Sequence, residues 1–215
     1  MIIPRTLFLA LGSLVAAVAM VLGTMLWLAL RQPSPFPANN LDGGERLMQY
    51  GTVPDFSLTE RSGESVTLAQ LRGKIWIADF IYTSCTDTCP LQTAMMARLQ
   101  AEFIPRTSIR LVSVTVDPER DTPSVLSEYA AAHNADRNRW LFLTGQRDRI
   151  IRLIQDGFHL AVASLPNGAE PTGMIPHSPR FVLIDQNARI RGYYDSRELE
   201  AFVRLKNDIE TLLKG

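Results

Sequence analysis

The stretch Ile75–Pro90 has the sequence IWIADFIYTSCTDTCP and decides the fold of this chain. Its first part, Ile75–Tyr82, is mostly apolar and rich in β-branched and aromatic residues, which is typical of a strand buried on both faces. Two cysteines follow directly, and Pro90 suits the first turn of a helix, where a proline removes no hydrogen bond. The stretch therefore predicts a buried strand, a cysteine loop and a helix.

The residues after Pro90 carry a helical repeat. Apolar side chains recur every four residues, at Leu91, Met95, Leu99 and Phe103. This spacing places side chains along one face of a helix, so we expect all four to face the core.

Further strands and helices alternate on the carboxyl-terminal side. Strands are predicted at Ile109–Val116, Trp140–Thr144, Arg180–Asp185 and Arg189–Tyr194, and helices at Thr122–His133, Gln146–Asp156 and Arg197–Leu213. This alternation indicates a largely parallel sheet, to which the last two strands add an antiparallel hairpin. The expected fold class is α/β, with a central mixed sheet flanked by helices.

The amino-terminal side begins with an uncharged segment. Leu7–Leu30 contains 24 apolar or small residues, enough to cross a hydrocarbon core that needs roughly 20. A cleaved signal peptide, the alternative, has a shorter apolar stretch of about 7–15 residues. Residues 1–31 are therefore expected to be an uncleaved membrane anchor. Because the segment lacks the Arg- and Ser-rich character of an organelle transit peptide, a bacterial inner membrane is favoured.

The next segment differs in composition. Prolines at 33, 35 and 37 stiffen the chain, so residues 32–52 are expected to form an extended linker. Residues 53–215 are long enough for one well-packed domain.

Charge and cysteine content exclude several functions. The 22 basic and 22 acidic residues cancel, so the chain lacks the positive surplus that binds a phosphate backbone, and no nucleic-acid partner is expected. Two cysteines are too few for a disulfide-rich scaffold. Their placement four positions apart, at Cys85 and Cys89, indicates redox or metal chemistry instead.

The two cysteines fall where a strand ends and a helix begins. Open α/β sheets bind ligands at that position, and backbone N–H groups there stabilise a thiolate. If the loop is helical, the spacing brings Cys85 and Cys89 within reach of a shared metal or of each other; two inert buried thiols are the alternative. Thiolates alone suit Cu(I), whereas Cu(II) also takes imidazole. Three histidines could supply it, and composition does not rank them: His133, His159 and His177.

Three ordered motifs carry a family resemblance. They are Asp79–Pro90 (DFIYTSCTDTCP), Val114–Pro123 (VTVDPERDTP) and His177–Asp185 (HSPRFVLID). Together with Trp140–Gly145, and over a match that begins near Val53 and reaches the carboxyl end, they resemble the Sco/SenC family of copper chaperones.

The resemblance implies a fold, a ligand set and a partner. It implies a thioredoxin-like domain in the periplasm that binds one copper ion, Cu(I) or Cu(II), through Cys85, Cys89 and His177. It also implies delivery of copper, or of reducing equivalents, to the binuclear copper centre of cytochrome c oxidase subunit II, with other periplasmic copper or thiol-redox proteins as further partners. A Cys85–Cys89 disulfide would remove both sulfur ligands, so copper binding and thiol oxidation would exclude each other.

Residues near the second motif have two interpretations. Asp117 resembles the family acid beside the metal loop, where it would orient a ligand or offset charge. Its alternative role is a turn or helix-cap acid before Pro118. The following Glu119, Arg120 and Asp121 are expected to form a solvated turn, with Asp121 or Thr122 capping the next helix.

The third motif departs from the family at Pro179, where other members often have threonine or leucine. Because thioredoxin relatives place a cis-proline near this loop, the isomers of Pro176 and Pro179 stay open. Met174 is the methionine nearest His177 in sequence and is a candidate soft ligand.

Other functions of this fold fit less well. A thiol-disulfide oxidoreductase without copper needs no histidine and usually spaces its cysteines as CxxC. A peroxidase of this fold has a proline and a threonine upstream of its reactive cysteine, where this chain has Ala78 and Tyr82. A redox or copper sensor is not separable from a chaperone by sequence. The expectation is a metallochaperone rather than an enzyme, with thiol reduction or sensing as the alternative.

Overall fold

The computed structural model describes residues 47–85, 89–103, 105–161 and 178–214, together with Met20. Among these residues no helix is both long and apolar enough to cross a membrane. Apart from Met20, the predicted anchor lies outside the described residues, as does the predicted linker up to residue 46.

The described strands form one sheet. They are β1 (Gly51–Thr52), β2 (Ser57–Glu60), β3 (Ser65–Thr67), β4 (Ile75–Ile81), β5 (Ile109–Thr115), β6 (Trp140–Thr144), β7 (Arg180–Ile184) and β8 (Arg189–Asp195). The order across the sheet is β1-β8-β7-β4-β5-β6-β2-β3. Strands β4, β5 and β6 are parallel, and the other pairs are antiparallel. The predicted mixed sheet is confirmed.

Helices connect most of the strands. They are α1 (Leu68–Leu71), α2 (Cys89–Glu102), α3 (Pro123–Ala132), α4 (Arg147–Arg152) and α5 (Leu199–Lys214). A π-helical turn, Leu153–Gly157, continues α4. The predicted helix at Gln146–Asp156 therefore exists, but its second half has wider hydrogen-bond spacing than an α-helix.

Strand β4 lies at the centre of the core. All seven of its residues are buried, because neighbouring strands and packed layers cover both of its faces. Trp76 and Phe80 each meet the ring of Phe158 edge to face, with centroid distances of 6.0 and 5.2 Å. The site at the end of β4 is therefore built on a rigid strand.

The helical repeat predicted the buried face of α2 correctly except at its first position. Its buried residues are Cys89, Gln92, Thr93, Met96 and Leu99. Leu91 is 45% exposed, so its predicted core position is wrong. At the start of the helix, Cys89 and the polar Gln92 are buried in place of Leu91. Leu99 and Phe103 are buried as predicted, and Met95 packs at the core margin.

The hairpin of β2 and β3 was not predicted, because both strands are short and largely polar. Strand β1 pairs with β8, so the sheet includes Gly51–Thr52, which the sequence assigned to the linker.

Candidate metal centre

The two cysteines lie at the carboxyl end of β4, where the sequence placed them. Cys85 closes a turn in which its backbone N–H donates to the carbonyl oxygen of Tyr82 at 3.1 Å. Cys89 is the first residue of α2. Both side chains are buried thiols, and no disulfide joins them. Residues 86–88, between them, lie outside the described residues.

The two sulfur atoms are inequivalent. The Cys89 backbone N–H, at the start of α2, donates to Cys85 Sγ at 3.4 Å. A hydrogen bond of this kind at a helix amino terminus stabilises a thiolate. Burial, followed by a hydrogen bond to Cys85, raises the pKa of the Cys89 thiol well above its ordinary value. Cys89 therefore holds its proton more tightly than an exposed thiol, and a bound metal would have to displace it.

Asp117 lies at the end of β5, the strand beside β4, so both strand ends reach the same edge of the sheet. Its carboxylate is buried, and Oδ2 lies 3.8 Å from an Arg120 guanidinium nitrogen but accepts no hydrogen bond from any described residue. Burial, then the neighbouring Asp121, raises the pKa of Asp117. Its backbone carbonyl accepts from Arg120 and Asp121 in a turn. The helix cap is Thr122, whose hydroxyl accepts from the backbone N–H of Val125.

Asp121 is not in a solvated turn, and that prediction is wrong for this residue. It is 1% exposed. Its carboxylate accepts hydrogen bonds from the Thr83 hydroxyl and backbone N–H and from the Thr115 hydroxyl. Glu119 and Arg120 do have exposed side chains, as predicted. No local pattern distinguishes Asp121 from its exposed neighbours, because its partners come from two other segments.

Two further polar residues beneath the cysteines were missed. Asp79, in β4, is fully buried; its Oδ1 accepts from the Ser113 hydroxyl at 2.6 Å, and its Oδ2 has no hydrogen-bond partner among the described residues. Burial raises the pKa of Asp79 to about 7, although the Ser113 hydrogen bond opposes this. The amide of Gln92 is fully buried, and within the part of the chain that the structure describes neither of its polar atoms has a hydrogen-bond partner. An acid within an otherwise apolar strand was a signal for Asp79.

The predicted third ligand, His177, lies outside the described residues, as do Met174 and Pro176. His133 caps the end of α3 with its ring centroid 4.6 Å from that of Tyr129. His159 is an exposed residue that follows the π-helical turn. Within the described ranges no cluster of three or more His, Cys, Asp or Glu side chains has the arrangement of a metal site. Neither of these two histidines therefore completes a site with the cysteines.

The peptide bond before Pro179 is trans, since the described residues contain no cis peptide bond.

A mixed sheet with a dithiol at the end of a central parallel strand, directly before a helix, fits the α/β thioredoxin-like class. The family model described as SCO1/SenC matches residues 45–214. The chain therefore belongs to the SCO1/SenC family.

Known relatives cover most of the chain. A SCO2-like protein of Rickettsia felis is 32% identical over 189 residues, which span 85% of this chain and 88% of the relative. The structure of BsSco, a member of the Sco family of cytochrome c oxidase assembly proteins in which a disulfide switch was identified, is 28% identical with a TM-score of 0.66, covering 78% of this chain and 98% of BsSco. Bradyrhizobium japonicum ScoI with copper bound is 24% identical with a TM-score of 0.58, covers 73% and 98%, and shares the fold.

Proposed function

We propose that this protein binds one copper ion through Cys85, Cys89 and His177 and passes it to the binuclear copper centre of cytochrome c oxidase subunit II. The observation that carries the proposal is the pair of buried thiols at the junction of β4 and α2, where Cys85 Sγ accepts the Cys89 backbone N–H. Two soft sulfur ligands on one rigid edge suit copper as a cargo. Membership of a family that includes an oxidase assembly protein and a copper-bound ScoI supports the same function.

The sheet register supports His177 as the third ligand. Strand β7 runs antiparallel to β4, with Ala78 opposite Val182 and Trp76 opposite Ile184. The first residue of β7, Arg180, therefore lies toward the carboxyl end of β4, where the cysteines are. His177 precedes Arg180 by three positions in the sequence, a short reach along the chain. Imidazole would add the nitrogen ligand that Cu(II) favours.

Oxidation of the dithiol would release the cargo. In exchange with a disulfide of a target protein, Cys85 and Cys89 together lose two electrons and two protons and form one disulfide, while the target gains two thiols. Both sulfur ligands are then consumed. The same two residues can therefore hold copper or reduce a target, but not both at once.

The proposed location follows from the apolar amino-terminal segment. Residues 1–31 would anchor the chain in the bacterial inner membrane, with the domain in the periplasm. There the domain would also meet other copper and thiol-redox proteins.

A copper titration tests the proposal. The reduced full chain, held in a non-ionic detergent, is titrated and followed by absorption, beside the oxidised chain and the variants His177→Ala and His133→Ala. We expect one equivalent of tightly bound copper, which is lost on oxidation. His177→Ala should change the sulfur-to-copper absorption, and the matched control His133→Ala should not. Unchanged affinity and absorption in His177→Ala would contradict the three-ligand site.

A thiol-disulfide reductase without copper delivery is the second candidate, and one observation favours it. The contrast between Cys85, which accepts a helix N–H, and the protonated Cys89 suits an attacking and a resolving thiol. Absence of stoichiometric copper, together with a readily cycled disulfide, would select this candidate.

A further inference from the structure

One buried carboxylate holds the turn that carries Cys85. In this turn, Tyr82 accepts the backbone N–H of Cys85, and Thr83 occupies the corner. Asp121 accepts both the Thr83 hydroxyl, at 2.5 Å, and the Thr83 backbone N–H, at 3.1 Å. These two hydrogen bonds fix the peptide orientation and the side-chain rotamer at the corner. The backbone two residues before Cys85 therefore has little freedom.

The same carboxylate is joined to the neighbouring strand end. Thr115, which pairs with Ile81 across β4 and β5, donates its hydroxyl to Asp121 Oδ2 at 2.5 Å. The Thr115 hydroxyl also accepts the backbone N–H of Asp117 at 3.0 Å. A continuous chain of hydrogen bonds thus connects the turn that carries Cys85 to the turn of residues 117–121, the Asp117 loop, through the Asp121 carboxylate.

The hydrogen-bond donors around this position favour a carboxylate. All three donors point at Asp121, and both of its oxygen atoms accept. An asparagine has one accepting oxygen; with that oxygen toward Thr83, its NH₂ group would face the Thr115 hydroxyl, which would then have to accept instead of donate. Because the group is 1% exposed, water cannot readily replace a lost acceptor.

We propose that Asp121 is a positioning residue that fixes Cys85 relative to Cys89 and to the Asp117 loop. It thereby sets the stability of the Cys85–Cys89 disulfide and the geometry of copper binding. The statement about copper rests on the proposed function, whereas the statement about the disulfide does not. A loosened turn lowers the effective concentration of one thiol at the other, so the disulfide becomes easier to reduce.

The first measurement uses no metal. The full chain in detergent is equilibrated with oxidised and reduced glutathione, in which the dithiol gives two electrons and two protons to one glutathione disulfide and two glutathione thiols form. We expect Asp121→Asn to lower the equilibrium constant for formation of the protein disulfide by about tenfold, which is equivalent to a rise of about 30 mV in its reduction potential. Thr83→Val should act in the same direction because it removes the hydroxyl donor, while Thr83→Ser should restore the unaltered value.

A matched control separates positioning from general stability. Asp185 is also a buried carboxylate that holds a turn, accepting the backbone N–H groups of Asn187 and Arg189, but it lies at the opposite edge of the sheet. Asp185→Asn should leave the glutathione equilibrium unchanged. The sulfur-to-copper absorption of the loaded chain should move in Asp121→Asn and stay fixed in Asp185→Asn.

The outcomes are distinct. If Asp121→Asn and Thr83→Val both keep the unaltered disulfide equilibrium, the proposal is overturned. If Asp121→Asn does not fold, the comparison of Thr83→Val with Thr83→Ser decides alone, since Thr83 is only half-buried. If the unaltered chain binds no copper but Asp121→Asn weakens the disulfide, the positioning role stands and the copper function fails.

Discussion

Replacing Asp79 by asparagine should stabilise the protein at neutral pH. The buried carboxyl has a pKa of about 7, against an ordinary value of 3.8, chiefly because burial disfavours the charge. Each pKa unit corresponds to about 1.4 kcal/mol, so the ionised form costs roughly 4 kcal/mol above that pKa. Asparagine keeps an oxygen for the Ser113 hydroxyl and carries no charge.

The pH dependence gives the sign of the effect. Below about pH 4 both the folded and the unfolded chains hold the proton, so Asp79 does not make the free energy of unfolding depend on pH. Between about pH 4 and 7 the unfolded chain loses its proton while the folded chain keeps it, and the free energy of unfolding falls as pH rises. Above about pH 7 both states are ionised and the loss stays constant. The gain from Asp79→Asn should thus be near zero at low pH and largest at about pH 8.

The assay is urea unfolding of the reduced full chain in non-ionic detergent across this pH range. Asp55→Asn, at a carboxylate whose side chain is 91% exposed, is the control and should not alter the slope. Only the difference between variants is interpreted, because other groups contribute equally to each curve. Equal slopes for the unaltered chain and Asp79→Asn would refute the assignment of a protonated, buried Asp79.

Two further predictions concern helix α2 and the thiols. Leu99→Ala should lower the free energy of unfolding by about 2–5 kcal/mol because it opens a cavity, whereas Leu91→Ala at an exposed position should change it by less than about 0.5 kcal/mol. Comparable losses in urea unfolding would argue against the observed burial of Leu99 and exposure of Leu91. Iodoacetamide should modify Cys85 before Cys89, since Cys89 is more deeply buried and its thiol has a raised pKa. Mass spectrometry of the reduced chain checks the order, and first modification at Cys89 would contradict it.

Elements with a strong local signal were predicted well. Strands β4, β5 and β6 follow long apolar or β-branched runs, and their positions agree with the sequence to within a residue or two. The hairpin of β2 and β3 has no such run. Strand β2 pairs with β6, a contact between segments far apart in the chain, and β3 pairs with β2. A local hydrophobic pattern indicates which residues are buried, and it carries little information about a short polar strand at a sheet edge.

Part of the candidate site was likewise predictable from the sequence, and part of it was not. The cysteine pair and its place between strand and helix were read directly from the chain, and the structure has both residues there. The hydrogen bonds that hold the pair were not predictable, because they arise from residues of other segments. Asp121 is a clear case, since its three donors come from Thr83 and Thr115.

The sequence by itself determined the order of strands and helices from β4 onward, the position of the dithiol and the family to which the chain belongs. Only the tertiary structure decided which residues at the start of α2 are buried, and that Asp79 and Asp121 are withdrawn from water while Glu119 stays exposed. The physical reason is that periodicity and motif spacing are local properties of the chain. Desolvation and hydrogen bonding depend on which distant segments meet once the sheet has formed.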